Sequence, residues 1–283
     1  MKILRTIEDI TSFAITQQRA GKVIGLVPTM GALHQGHLTL MERAKAKCDV
    51  VIASVFVNPV QFGPKEDYGS YPRQFAEDCQ LLEGVGVDAV FHPEPETMYP
   101  QGFNTYVNVE SPFTKKLCGG QRPGHFRGVA TVVTKLLLLS RAEEAFFGQK
   151  DAQQVLVLKR MVEDLNIQTH INMVPIVRES NGLARSSRNR YLTDWEKKSA
   201  LVLSRSLRKA QLAFEAGENS VEILKKLVRN EILSEPLAAI DYVELLALDE
   251  LAPLVEVNQP ALLAIAVKIG GTRLIDNVIL ERK

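Results

Sequence analysis

Apolar residues in this chain come in short continuous runs, separated by longer stretches where they recur every three or four positions. Such runs suit strands covered on both faces, whereas the longer period suits helices with one buried stripe. The runs predict strands over Val23–Val27, Val50–Val57, Asp88–Phe91, Ala145–Phe147 and Ile171–Val177. Between them the spacing predicts helices over 5–20, 37–47, 73–83, 127–140 and 151–164. Strands that alternate with helices in this way imply a parallel sheet, because parallel neighbours need a crossover between them. Ligands in such sheets bind beyond the carboxyl ends of the strands, which singles out the loops PTMGALHQGH, VNPVQFGP and GQKDAQQ.

Past Val177 the pattern changes. A polar loop, RESNGLARSSRNRYL, leads to a helix announced by Thr193 with Glu196 three residues on, the spacing of a capping box. Leu203, Leu207, Ala210 and Phe214 share one face of it, and Gly217 is a natural stop. A second helix follows over Val221–Ile232, then strands over Ile240–Leu246, Leu262–Val267 and, after Gly270 and Gly271, Asp276–Leu280. The expected architecture is therefore an α/β domain over 1–177 and a smaller α+β domain over 178–283. There is no internal repeat and no low-complexity segment.

Composition narrows the function classes. Thirty-four basic residues against thirty-three acidic ones leave a net charge of +1, which argues against bulk attraction to nucleic acid or membrane and favours small-molecule partners. Cys48, Cys79 and Cys118 are odd in number and widely spaced, fitting neither a disulfide framework nor a zinc knuckle but suiting a reducing cytoplasm. The opening MKILRTIEDITSF lacks a long apolar segment, and the run Leu136–Leu139 is far too short to span a bilayer. A cytoplasmic, non-exported protein is expected.

The candidate chemistry centres on Val23–Cys48, a strand, a glycine-containing turn and a helix. Pro28 is expected to end the strand, and the helix to run from Gly36. His34 and His37 stand three apart, so at a helix start they share a face. A helix N-terminus carries unsatisfied amide donors and partial positive charge, and its natural occupant is phosphate. Two rivals stand beside that reading: a zinc site, for which H-x-x-H supplies only two ligands, and two ordinary surface histidines.

PTMGALHQGH resembles the signature of the pantothenate synthetase family, itself similar to the H-I-G-H element of class I aminoacyl-tRNA synthetases and related nucleotidyltransferases. Further blocks stand in family order: VFVNPVQFGPKEDYGSYPR, RPGHFRGVATVV, FFGQKDAQQ, NGLARSSRNRYL and, near the C-terminus, LIDN. The resemblance implies a Rossmann-like doubly wound sheet, a homodimer, and a two-step reaction. ATP and pantoate would form pantoyl adenylate and pyrophosphate, and β-alanine would then displace AMP to give pantothenate. Mg²⁺ is expected with ATP, held mainly through substrate phosphates, so no protein ligand is named. Glu77 and Asp78 either approach it or belong to a solvated helix face.

The same resemblance assigns residues. ATP would lie against Met30, Gly31, Ala32, Leu33, His34, Gln35, Gly36 and His37, and against Gly148, Gln149, Lys150 and Asp151. Val177, Arg185, Ser186, Ser187 and Arg188 complete that set, the SSRN stretch resembling the phosphate-clamping K-M-S-K-S loop, with Gly182 as a hinge. His34, His37 and Lys150 would be catalytic. Gln61, Gln154, Met30, Arg122 and His125 would meet pantoate, and Gln61 and Tyr71 β-alanine; Asn58 sits in the same turn. Asp151 either caps its helix or holds a ribose hydroxyl. Asn181 stands where the family more often has aspartate, and Arg185 where an aliphatic residue or methionine is usual; Arg185 would add a phosphate contact or point to solvent.

The assigned types suit the reaction. A carboxylate attacking the α-phosphate needs no strong base, so catalysis reduces to in-line positioning and neutralising phosphate charge. The alternatives are a nucleotidyltransferase that releases its adenylated or cytidylated product, and a noncatalytic nucleotide- or RNA-binding module.

Overall fold

The computed structural model describes residues 1–64 and 66–282; Lys65, inside the second sequence block, lies outside them. The chain divides into two compact units, Met1–Gln149 with Gln153–Pro175, and Lys150–Ala152 with Ile176–Lys283. In chain order the first contains β1 (Lys2–Leu4), α1 (Ile7–Arg19), β2 (Ile24–Thr29), α2 (Gln35–Lys47), β3 (Val50–Val55) and α3 (Phe75–Gly84). β4 (Ala89–Phe91), α4 (Pro95–Met98), α5 (Leu117–Gln121), α6 (His125–Ser140), β5 (Glu144–Gly148), α7 (Ala152–Asp164) and β6 (His170–Val174) follow.

Six strands form a parallel sheet in the order β1-β4-β3-β2-β5-β6. Period two decides which face each residue serves. Leu26, Ile52, Phe91 and Phe147 join one apolar cluster with α1, α6 and α7, while Val27, Val51, Val90 and Phe146 join another with α2 and α3. Both faces are apolar and both are covered, so the strands read as continuous apolar runs. The chain leaves β2 through α2 to β3 on one side, and β5 returns on the other. That reversal places a topological switch beyond the carboxyl ends of β2 and β5, where open α/β sheets bind ligands.

The structure adds one strand and corrects one expectation. β1, which the pattern did not predict, is only three residues long, too short to show a period. Pro28 lies inside β2 instead of ending it. Residues in a strand alternate their backbone groups between neighbours; Thr29 bonds toward β3, so Pro28 faces the β5 side, where pairing has already stopped at Leu26. A missing N–H costs no ladder bond there.

The second unit holds α8 (Asp194–Glu215) and α9 (Val221–Leu233), then the antiparallel strands β7 (Ala238–Ala247), β8 (Ala261–Ile269) and β9 (Thr272–Leu280), with β8 central. The predicted capping box opens α8, Thr193 accepting from the Glu196 amide at 3.2 Å and the Glu196 carboxylate from the Thr193 amide at 2.8 Å. Leu203, Leu207 and Phe214 of α8 pack with Leu224, Val228 and Ile232 of α9 against Leu263 and Ile265. Among the described residues no helix is long and apolar enough to cross a membrane.

Candidate active site

The turn after β2 is built around one buried carboxylate. Thr29 Oγ1 donates to the Ser54 carbonyl at 2.7 Å and accepts the Gly31 amide at 3.2 Å. Gly31 and Ala32 then take left-handed conformations, φ 80° and 50°, which turn the chain back on itself. The Ala32 and Leu33 amides donate to the two oxygens of Asp78 at 3.0 and 2.8 Å. A Cβ on Gly31 would stand 2.9 Å from Asp78 Oδ2 and 3.1 Å from Val55 Cγ1, so space as well as dihedral selects glycine. Asp78 is 1% exposed, which corrects its placement on a solvated helix face. The signal was its spacing: Phe75, Asp78 and Leu82 share one face of α3, and that face is the buried one.

His34 is the N-cap of α2. Its Nδ1 accepts the Gly36 amide at 3.1 Å, and His37 Nδ1 accepts the His34 amide at 3.3 Å. The rings stack with centroids 4.1 Å apart. A neutral imidazole whose Nδ1 accepts carries its proton on Nε2, so the backbone sets both tautomers and makes both Nε2 atoms donors. Gln35 and Gly36 form the first turn of α2, whose partial positive charge favours an anion.

A second turn, Pro59–Gln61, follows β3. Asn58, 1% exposed, donates from Nδ2 to Gln61 Oε1 at 3.0 Å and to the Gly128 carbonyl at 3.1 Å. Gln61 Nε2 lies 3.0 Å from Met30 Sδ, which joins this turn to the first. Gly128 permits the approach, since a Cβ there would meet the Val60 carbonyl oxygen at 2.5 Å. His125 Nδ1 is 3.0 Å from the Gln61 carbonyl and its Nε2 is 3.1 Å from Arg122 Nη1. Arginine only donates, so Nε2 accepts and Nδ1 carries the proton, the opposite tautomer from His34 and His37. Arg122 also grips Glu66 with two donors, Nε to Oε1 at 2.8 Å and Nη2 to Oε2. Burial pushes the Glu66 carboxyl up, but the Arg122 hydrogen bonds and charge outweigh it and hold the group below the usual carboxylate range. Tyr71 is buried, its ring edge-on to Phe62.

Gly148 closes β5 and the Gln149–Asp151 turn runs into α7, so the predicted helix start at 151 becomes a tighter turn. Asp151 is exposed, and Gln154 is half-buried in the first turn of α7. Its neighbour Gln153 is the buried one, accepting the Cys118 amide at 3.0 Å and donating to the Lys116 carbonyl at 2.8 Å. In the second unit Asn277 Nδ2 donates to the Lys150 carbonyl at 3.1 Å. Arg178 makes a two-pronged pair with Asp276, 2.7 and 3.0 Å, and donates to the Gly182 carbonyl. The Arg185 amide donates to the Val177 carbonyl at 2.9 Å, which closes a short hairpin before Ser186. Ser186 Oγ accepts the Arg188 amide, and Ser187 opens the turn Ser187–Tyr191. Arg185 Nε is buried and has no hydrogen-bond partner among the described residues, so its guanidinium does not lie simply in solvent. Asp276 and Asn277 belong to the LIDN block, which carried no assigned role in the sequence; a strand 98 residues from Arg178 leaves no spacing signal.

The family profile described as pantoate-beta-alanine ligase matches residues 2–279. The chain belongs to the pantoate–β-alanine ligase family. It is a ligase of pantothenate biosynthesis, and the family's reaction is the ATP-dependent joining of pantoate to β-alanine. Among relatives of the family, the pantothenate synthetase of Pelotomaculum thermopropionicum is 58% identical over 280 residues, covering 99% of both chains. The crystal structure of pantothenate synthetase from Thermus thermophilus matches with a TM-score of 0.92 and 42% identity over the whole of both chains. That of the Francisella tularensis pantoate-beta-alanine ligase, complexed with beta-gamma ATP and β-alanine, matches with a TM-score of 0.81 and 35% identity, covering 100% of this chain and 99% of that one.

Proposed function

We propose that this chain makes pantothenate in two steps, with pantoyl adenylate as the intermediate, using the residues assigned above. The observation that carries the residue-level reading is the histidine pair at the start of α2, whose Nδ1 atoms are both taken by backbone amides. Two Nε2–H donors at a helix N-terminus suit the charge that builds on the α-phosphate and the departing pyrophosphate. Because the Nδ1 atoms are occupied, the donors need no reorganisation during the reaction. Lys150 adds a point charge, and Ser186, Ser187 and Arg188 suit the outer phosphates.

Pantoate binds, on this reading, beside Met30, Gln61 and Gln154, with Arg122 and His125 shaping the wall. Arg122 is paired with Glu66, so it serves the pocket by holding His125 and not as an unbalanced charge. Tyr71 and Gln61 take β-alanine. Mg²⁺ enters as part of the ATP substrate: among the described residues no group of three or more His, Cys, Asp or Glu is gathered to hold a metal, and Asp78 is committed to two amides. The division into functional domains at residues 177 and 178 rests on the change of pattern past Val177, and a homodimer on the family resemblance. Cys48, Cys79 and Cys118 are not joined in disulfides among the described residues, which suits a reducing cytoplasm.

The deciding experiment is exchange of labelled pyrophosphate into ATP by the purified protein. Exchange that requires pantoate but not β-alanine, with AMP and pantothenate released together once β-alanine is added, is the expected result. Exchange without pantoate, or an adenylate that accumulates unchanged in the presence of β-alanine, would overturn it.

A further inference from the structure

We infer that Tyr99 is a positioning residue for Gln61, acting through Asn58; the inference rests on the reading of Gln61 as a contact to pantoate. Tyr99 follows α4, far in sequence from every assigned residue. Its hydroxyl donates to Asn58 Oδ1 at 2.7 Å, the shortest of the hydrogen bonds that Asn58 makes.

The direction of every bond in this chain is settled by the groups at its ends. The Val60 amide can only donate, and it reaches Asn58 Oδ1 at 3.3 Å; the Gly128 carbonyl can only accept, and it lies 3.1 Å from Asn58 Nδ2. The Asn58 amide therefore has one orientation, with its oxygen toward Tyr99. An oxygen that already faces Val60 needs a hydrogen from Tyr99, so the phenol donates. Burial pushes the Tyr99 phenol well above the usual tyrosine range, which keeps that hydrogen in place. Asn58 Nδ2 then has a hydrogen left for Gln61 Oε1. Gln61 is thereby oriented with its carbonyl oxygen accepting from Asn58 and its NH₂ group on the other side, toward Met30. A glutamine held this way turns a fixed donor, with one lone pair of its oxygen already bonded, toward a hydroxy acid.

The ring of Tyr99 is fixed independently of its hydroxyl. Phe103 stands edge-on to it with centroids 5.0 Å apart, and Lys135 Nζ lies over both rings while donating to the Met98 carbonyl. Removing the hydroxyl alone should leave this cluster in place.

The test is Tyr99→Phe, with steady-state constants measured separately for pantoate and ATP after wild-type turnover of pantoate has been established. Loss of one hydrogen bond predicts a rise in the KM for pantoate of about three- to tenfold, with kcat and the KM for ATP within about twofold of wild type. Phe103→Leu, which disturbs the ring cluster without touching Asn58, is expected to leave the KM for pantoate unchanged. Equal rises in both variants, or no rise in Tyr99→Phe, would overturn the relay while leaving the ligase assignment intact. Wild-type protein inert toward pantoate would instead sink the assignment. If Tyr99→Phe does not fold, tetrafluorotyrosine at position 99 serves, since its more acidic phenol loses the donated hydrogen as the pH rises. The KM for pantoate should then climb with pH in the fluorinated protein relative to wild type, and parallel profiles would overturn the proposal.

Discussion

Two segments carry most of the residues assigned to phosphate, and they are held in different ways. The Met30–His37 turn is anchored from a distance in sequence: Asp78, 45 and 46 residues away, takes two of its amides, and Ser54 holds Thr29. Its histidines are then locked by their own backbone. In the Ser186–Tyr191 segment the described bonds that shape the turn are local, Ser186 to Arg188 and Asn189 Nδ2 to the Ala184 carbonyl at 3.1 Å, while Ser187, Arg188 and Arg190 have partners besides. Distant anchors tie a loop to the core and remove its freedom before any ligand arrives, whereas local bonds travel with the segment. The first turn is thus fixed before any ligand arrives, which suits the preorganised charge stabilisation proposed for it; the described bonds that shape the second are local.

The largest effect should come from the fixed turn. His37→Ala removes a donor aimed by backbone and is expected to slow pantoyl adenylate formation by roughly two to three orders of magnitude in pyrophosphate exchange, with far-UV dichroism unchanged. Asp78→Asn keeps the shape but sets an NH₂ group against one backbone N–H. Leaving that buried amide unsatisfied should cost about 2–4 kcal/mol in denaturant unfolding. It should also raise the KM for ATP more than that for pantoate. An Asp78→Asn enzyme with normal ATP affinity would show that the turn holds its form without its anchor, and the contrast between the two segments would fail.

How much of this was open to inspection in the sequence depends on the range of the interaction concerned. Strands β2 to β9 and the long helices follow from local period, and the Thr193–Glu196 cap from a three-residue spacing; each was readable because cause and effect lie within one turn or one strand. Side chains that act across the fold were not. Asp78 was legible as lying on the buried face of α3, but not as the partner of Ala32 and Leu33. Gln153 and Gln154 differ by one step of helix phase, too small a difference for a pattern to decide. Arg178 and Asp276 meet only because β9 passes the hairpin, and Tyr99 meets Asn58 for the same kind of reason.

The second unit offers an effect of intermediate size. Asp276 is 2% exposed and its partner Arg178 is 31% exposed. Arg178→Met would leave a buried carboxylate with the Asn277 amide as its remaining described donor, at 2.8 Å. The expected loss is about 2–3 kcal/mol, below a fully buried pair because the guanidinium is partly in water. Hydrogen exchange should show it as lost protection over 177–192 and in β9, with β2 and α2 unaffected. Equal loss in β2 would mean that the two segments do not respond separately.

The smallest effect concerns the wall of the proposed pantoate pocket. Arg122 and Glu66 are both about a quarter or less exposed, and Arg122 lowers the Glu66 carboxyl below its ordinary value of 4.5. A carboxyl lowered on folding adds stability that is complete above its unfolded value and fades as the pH falls through the folded one. The stability difference between wild type and Glu66→Gln should therefore be flat from about pH 8 to 6 and shrink below about pH 4.5, amounting to roughly 1 kcal/mol or less where it is complete. Urea unfolding across that range measures it. Because Arg122 also fixes His125, and His125 the Gln61 carbonyl, Glu66→Gln should raise the KM for pantoate slightly while leaving that for ATP alone. A shift confined to ATP would instead place the Glu66–Arg122 pair in support of the histidine turn, and would move the boundary between the pantoate wall and the preorganised phosphate site.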